Sequence, residues 1–184
     1  MTKMKTLSIA TLTFMSLAAG SAVYADDLAP NSVSVEYGTG NQTRIARGGL
    51  QWDWDKAWLD SNGTHLGGYW DLTLAEMQGR DWEGIPNNHH DVTDVGLTPV
   101  FRFESDDKQG LYSELGVGAN IMSPIYDNNH RRFSTAFQFG DHLGFGYQTS
   151  KWSVGLKVQH YSNGAIKHPN PGANFAVLGL DFKL

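Results

Sequence analysis

"ARGGLQWDW", residues 46–54, alternates without a break: Ala46, Gly48, Leu50, Trp52 and Trp54 share one parity, and Arg47, Gly49, Gln51 and Asp53 share the other. A strand sends successive side chains to opposite faces, so this stretch has one apolar and one polar face. The pattern recurs along the chain. Leu66, Gly68, Trp70, Leu72 and Leu74 oppose Tyr69, Asp71 and Thr73; Val95, Leu97, Pro99, Phe101 and Phe103 oppose Asp94, Thr98, Arg102 and Glu104. Leu111, Leu115, Val117, Ala119 and Ile121 likewise oppose Tyr112, Glu114, Gly116, Gly118 and Asn120. Eight segments follow this rule, at about 31–39, 43–55, 65–78, 92–105, 110–122, 134–148, 151–162 and 173–184.

Which face is inside decides the fold. Strands of a soluble sandwich average about six residues and bury the apolar face. The segments here run to roughly 10–14 residues, closer to the 9–11 of a strand that crosses a bilayer. The polar parity holds Arg47, Asp53, Asp71, Asp94, Arg102, Glu104 and Glu114, charges of both signs suited to a salt-bridged, plugged lumen. Trp52, Trp54, Trp58, Trp70 and Trp152 suit the membrane interfaces. Loop lengths separate the two folds further. "SNGT", "DDKQG" and "QTS" are shorter than "GRDWEGIPNNHHD", "SPIYDNNHRR" and "GAIKHPNPG", and the two sets alternate, as in an outer-membrane barrel with short periplasmic turns. The expected fold is therefore an all-β, eight-stranded antiparallel transmembrane barrel with a periplasmic N-terminus, rather than a secreted sandwich or lipocalin-like barrel.

The first residues agree with that destination. Lys3 and Lys5 precede an apolar run from Leu7 to Ala19, and Val23-Tyr24-Ala25 ends on a small residue, the order of a secretory signal peptide. Residues 1–25 are expected to be removed, leaving 26–184 as a single barrel domain. Loss of Lys3 and Lys5 moves the formal charge from −5 to −7, unsuited to nucleic acid. With no cysteine, neither disulfides nor thiolate zinc sites are available.

The segment at 151–162 carries the chemistry. Trp152, Val154, Leu156 and Val158 share their parity with His160 and Ser162, which puts these two on the lipid side, roughly 6.6–6.8 Å apart along the strand. Asn174, on the next segment, falls on the same outer face. A serine hydroxyl needs a base, and the base needs an orienting partner. Asn163, Asn170 and Gly172 in the following turn offer donors for an oxyanion. A nucleophile so placed would meet the ester of a membrane lipid, although polar residues at a membrane boundary need no catalytic role.

"HYSNGAIKHPNPG", residues 160–172, resembles the H-x-S-N…P-N-x-G signature of the PagL lipid A 3-O-deacylases, and "LQWDWDKAW" with "LGGYWD" resembles that family's early strands. The resemblance implies an outer-membrane esterase that removes the 3-position acyl chain of lipid A from lipopolysaccharide, using a Ser-His-Glu triad and no metal or cofactor. It makes Ser162 the nucleophile, His160 the base and Asn170 an oxyanion support beside Asn163. The family's glutamate would fall on Asn174, which is no carboxylate. Two residues offer a repair. Asn174 can accept from the imidazole N–H, as asparagine does in Cys-His-Asn proteases. Asp141 is the second partner: a tight turn at Thr149-Ser150 would bring His160 near Phe139, with Asp141 two residues along on the same face.

The alternatives are a phospholipase A-like outer-membrane lipid hydrolase, whose third catalytic member is an asparagine, and a non-catalytic structural or adhesin barrel. Outer-membrane lipids are the expected surroundings, and a homodimer is left open. "NNHHD" reads as a solvated loop, because adjacent histidines on a strand cannot face one ion. "YGTGNQT" reads as a hairpin turn. Asn41-Gln-Thr and Asn62-Gly-Thr match the glycosylation pattern but sit at turns. Arg131, Arg132, Lys167 and His168 lie in outer loops, where they would meet lipid A phosphates or simply be solvated.

Overall fold

The computed structural model describes residues 29–184, so the expected leader lies outside the described residues. The strands are β1 (Ser32–Gly40), β2 (Thr43–Asp53), β3 (Trp58–Ser61), β4 (Thr64–Gly79), β5 (Val92–Ser105), β6 (Gly110–Ser123), β7 (Asp127–Asn128), β8 (Arg131–Arg132), β9 (Phe137–Gln148), β10 (Trp152–Ser162) and β11 (Ala173–Lys183). Eight of them are the long strands that the alternation marks out, each within a few residues of its expected bounds. They pair antiparallel in the order β1-β2-β4-β5-β6-β9-β10-β11, and β11 returns to β1 from Ser32↔Lys183 to Gly40↔Phe175. Closure leaves no free edge among these eight, which a backbone in hydrocarbon requires.

The three short strands were not legible in the alternation. β3 pairs with β4 through Asn62 and Gly63, whose φ values of 56° and 79° match the left-handed turn that Asn-Gly favours. β2 ends at Asp53, so this inner connection spans 54–63 and is longer than "SNGT" suggested. β7 and β8 form a small hairpin across Asn129 and His130, at φ 49° and 62°, within the outer loop 124–136.

Burial is inverted relative to a soluble protein. Arg47, Glu36, Asp71, Arg102, Glu114 and His142 are buried inside, while Leu143 and Phe145 on the outer wall are each 65% exposed. Glu36, Arg47, Lys157, Arg102 and Glu114 are paired, as ions withdrawn from water must be, whereas Asp71 Oδ1 is buried without a hydrogen-bond partner among the described residues. Glu36 bridges two cations, with Oε2 2.6 Å from Arg47 Nη2 and Oε1 2.5 Å from Lys157 Nζ. Arg102 Nη2 lies 2.7 Å from Glu114 Oε2, and its guanidinium sits 4.1 Å above the Tyr112 ring. Asp53 differs from expectation by standing at the inner rim, 2.9 Å from Lys108 Nζ.

Toward the outer loops the interior becomes apolar. Ile45, Met77, Val92, Met122, Tyr161 and Phe175 form one buried cluster with the loop residues Tyr126 and Phe133. At the opposite end Trp54 packs edge-on against Trp58, Trp70 and Phe101, with centroids 5.9, 6.2 and 5.0 Å away, an aromatic girdle at one interface.

Replacing Glu36 by alanine would leave Arg47 and Lys157 facing each other without their shared carboxylate. The expected cost is about 3–5 kcal/mol, read as a lowered urea midpoint of the refolded barrel by tryptophan fluorescence.

Candidate active site

The outer end of β10 is fixed from inside the barrel. Tyr161 is fully buried, donates from its hydroxyl to Asp94 Oδ2 at 3.3 Å and accepts from Arg47 Nη1 at 3.3 Å. Gln159 is buried as well and accepts from the same guanidinium at 3.3 Å. With residues 159 and 161 held inward, strand parity turns Val158, His160 and Ser162 outward.

His160 is flanked on both sides by polar residues. It pairs with Asn174 on β11 and with Asp141 on β9, so the three lie in one row on the outer wall. The pairing with β9 differs by two residues from expectation: Ser162, not His160, opposes Phe139, because the strands begin pairing at Ser153↔Gln148. The shift brings Asp141 directly beside His160.

His160 Nδ1 is 2.6 Å from Asn174 Oδ1. An amide oxygen can only accept, so Nδ1 is the donor, and in the neutral ring Nε2 is then the acceptor. Gly172, at φ +65°, backs onto the ring: a Cβ there would lie 2.7 Å from His160 Cε1 and 3.4 Å from Nε2. A larger residue would therefore displace the imidazole. Ser162 is half-buried, and its hydroxyl has no hydrogen-bond partner among the described residues. Asp141 Oδ1 is buried and likewise has no partner among them.

The loop 163–172 is organised around Asn163. Its Nδ2 donates to Lys167 O at 2.8 Å, Ser134 Oγ at 3.0 Å and Thr135 Oγ1 at 3.3 Å, and its main-chain N–H donates to Asn170 Oδ1 at 3.0 Å. The Asn163 amide thus holds the loop together. Asn170, with its oxygen engaged, keeps Nδ2 as a donor without a protein partner among the described residues.

Of the loop cations, Lys167 and His168 are exposed, and Arg132 is 3.7 Å from Asp127. Arg131 turns toward the loop 163–172, with Nη1 2.9 Å from Pro171 O and 3.0 Å from Gly172 O. No sequence signal marked Arg131, Ser134 or Thr135 as neighbours of this loop, since they come from a different connection. "NNHHD" is also more ordered than expected: His89 Nδ1 lies 2.6 Å from Asp81 Oδ1, and the His90 main chain is bonded to Asn128.

Asn163→Ala would remove three contacts that close the loop. Limited proteolysis should then cut within 163–172 at least tenfold faster than in the parent protein, while the barrel keeps its heat-modifiable gel mobility.

Comparison with known proteins agrees with this geometry. The family model described as lipid A 3-O-deacylase (PagL) matches residues 45–183. The lipid A deacylase PagL of Pseudomonas aeruginosa is 34% identical over 161 residues, 85% of this chain and 88% of that protein. The lipid A deacylase PagL of Bordetella bronchiseptica is 32% identical over 157 residues, 82% of each. The crystal structure of the outer membrane enzyme PagL aligns with a TM-score of 0.71 at 27% identity, covering 83% of this chain and 99% of that one. The N-terminal barrel domain of Pseudomonas aeruginosa OprF, with a TM-score of 0.50 at 15% identity, shares the fold alone. A closed barrel with an apolar outer wall, matched over most of its length in sequence and in structure, makes this chain an outer-membrane enzyme that belongs to the PagL family of lipid A 3-O-deacylases.

Proposed function

We propose that this chain hydrolyses the ester at the 3-position of lipid A in the outer leaflet, with Ser162 as nucleophile and His160 as base. The observation that carries the reading is the 2.6 Å hydrogen bond from His160 Nδ1 to Asn174 Oδ1 on the lipid-facing wall. In the neutral ring it leaves Nε2 as the acceptor, two residues along the strand from a serine hydroxyl that has no hydrogen-bond partner among the described residues. In the first step Nε2 takes the proton of Ser162 Oγ as the oxygen attacks the acyl carbonyl carbon. The negative charge that develops on the carbonyl oxygen is met by the free Nδ2 of Asn170. Collapse of the tetrahedral species breaks the ester bond, and the imidazolium returns its proton to the sugar oxygen. Water, activated by the same nitrogen, then hydrolyses the acyl-serine and releases the fatty acid.

Asn174 orients the ring without adding charge. Asp141, on the other flank of His160, supplies the carboxylate that position 174 lacks, and its unpartnered oxygen is the observation that favours this role. An ionised group on a lipid-facing wall needs a partner, and the imidazolium formed during the reaction is one.

Mass spectrometry of lipid A from cells expressing the protein should show loss of one hydroxyacyl chain, and Ser162→Ala should abolish it. Phospholipid hydrolysis with unchanged lipid A would favour the phospholipase reading, and no change in either lipid would favour a structural barrel. In the same assay Asn174→Ala should lower kcat on the order of 100-fold by releasing the ring, and Asp141→Asn by about tenfold by removing charge alone. We further infer that residues 1–25 are a cleaved leader. Intact mass of the membrane-extracted protein should correspond to a chain beginning at Asp26.

A further inference from the structure

The hairpin β7–β8 stands above the barrel mouth and is tied to three other segments. Asn128, fully buried, accepts from His90 N at 2.8 Å and donates to His90 O at 2.9 Å, which joins it to the loop 80–91. Tyr126 hydrogen-bonds through its hydroxyl to Thr43 Oγ1 at 2.9 Å and stacks on Phe133 with centroids 4.9 Å apart, which joins the hairpin's base to the start of β2. Across the hairpin from Asn128 is Arg131, whose Nη1 donates to both Pro171 O and Gly172 O.

Those two carbonyls belong to the last residues before β11, and Gly172 is the residue on which the His160 ring rests. The bond to Asn174 holds the imidazole at a single atom, Nδ1, and leaves the ring free to rock about it. Fluid acyl chains on the outer wall offer no fixed surface to stop that motion. The Gly172 main chain does, along the Cε1–Nε2 edge, provided the chain itself stays in place. Ser134 and Asn163 bind Lys167 farther out in the loop, and neither hydrogen-bonds to residue 172.

We propose that Arg131 is a positioning residue for the reaction: its guanidinium clamps the Gly172 carbonyl and so fixes the backbone wall that keeps His160 Nε2 aimed at Ser162. This rests on the reading of His160 as the base. Charge-assisted bonds to two carbonyls from one nitrogen are the stronger kind of hydrogen bond, and a guanidinium is a rigid donor. Because those donors face main chain, their loss misaligns the base and leaves substrate affinity largely intact.

The test uses purified full-length barrel in mixed micelles with lipid A. Arg131→Ala should lower kcat by on the order of 10- to 100-fold, the range for slight misplacement of a catalytic group, with KM within about twofold. Arg131→Lys should recover much of that loss, since an ammonium can still donate to these carbonyls. Gly172→Ala, whose Cβ would fall 2.7 Å from His160 Cε1, should reproduce the kcat defect from the other side of the contact. Heat-modifiable mobility shows that each variant is folded. An unchanged kcat in Arg131→Ala, or a loss confined to KM, would overturn the proposal and mark Arg131 as a substrate-binding cation or a bystander. Retained activity in Ser162→Ala is a separate outcome: it would overturn the reading of His160 and Ser162 first, and this proposal with it.

Discussion

A polypeptide surrounded by hydrocarbon has to satisfy its own backbone, and the ladder between β1 and β11 is where this chain does so. Without it the outer flanks of β1 and β11 would each present a row of unpaired N–H and C=O groups to lipid. With it, every long strand is bonded on both sides, and its residues are committed to an inside or an outside. The charges of Glu36, Arg47, Arg102, Glu114 and Lys157 fall inside because closure leaves no other place for them. His160, Ser162, Asn174 and Asp141 fall outside by the same parity.

Closure also gives the candidate site its rigidity. Asp141, His160 and Asn174 come from three neighbouring strands, and their alignment follows from ladder register rather than from a flexible loop. Tyr161, between His160 and Ser162 in sequence, is locked against Asp94 and Arg47 on the inner side, so the wall cannot twist to exchange faces. The loops then add what strands cannot. Gly172 supplies a surface that closely fits the imidazole edge, and the loop around Asn163 presents Asn170.

Parity was legible in the sequence because it depends only on the spacing of apolar residues. All eight long strands, the outward direction of His160 and Ser162, and the shared face of Asn174 could be read that way. Stagger was not, because sliding a strand by two residues keeps every side chain on its own face and leaves the hydrophobic pattern unchanged. That is why Asp141 was expected two positions from where it stands: the turn after β9 begins at Gln148 and ends at Ser153, wider than a link through Thr149 and Ser150 alone. The short hairpins at 58–64 and 127–132 are below the length at which alternation carries information. Arg131 was equally hidden, since its contact with Gly172 joins residues 41 positions apart through loop geometry. Lys157 and Glu36 were overlooked as a pair for a related reason, because they meet only over β11, once the barrel has closed β11 onto β1.

The sideways aspect of His160 and Ser162 sets what concentration means for such an enzyme. A cleft open to water samples solute per unit volume. A reactive wall embedded in one leaflet samples its neighbours in a plane, so its rate follows the mole fraction of substrate among the surrounding lipids and their lateral diffusion. Diluting a suspension of vesicles would leave that fraction, and hence the turnover per barrel, unchanged; mixing inert lipid into the same leaflet would lower it.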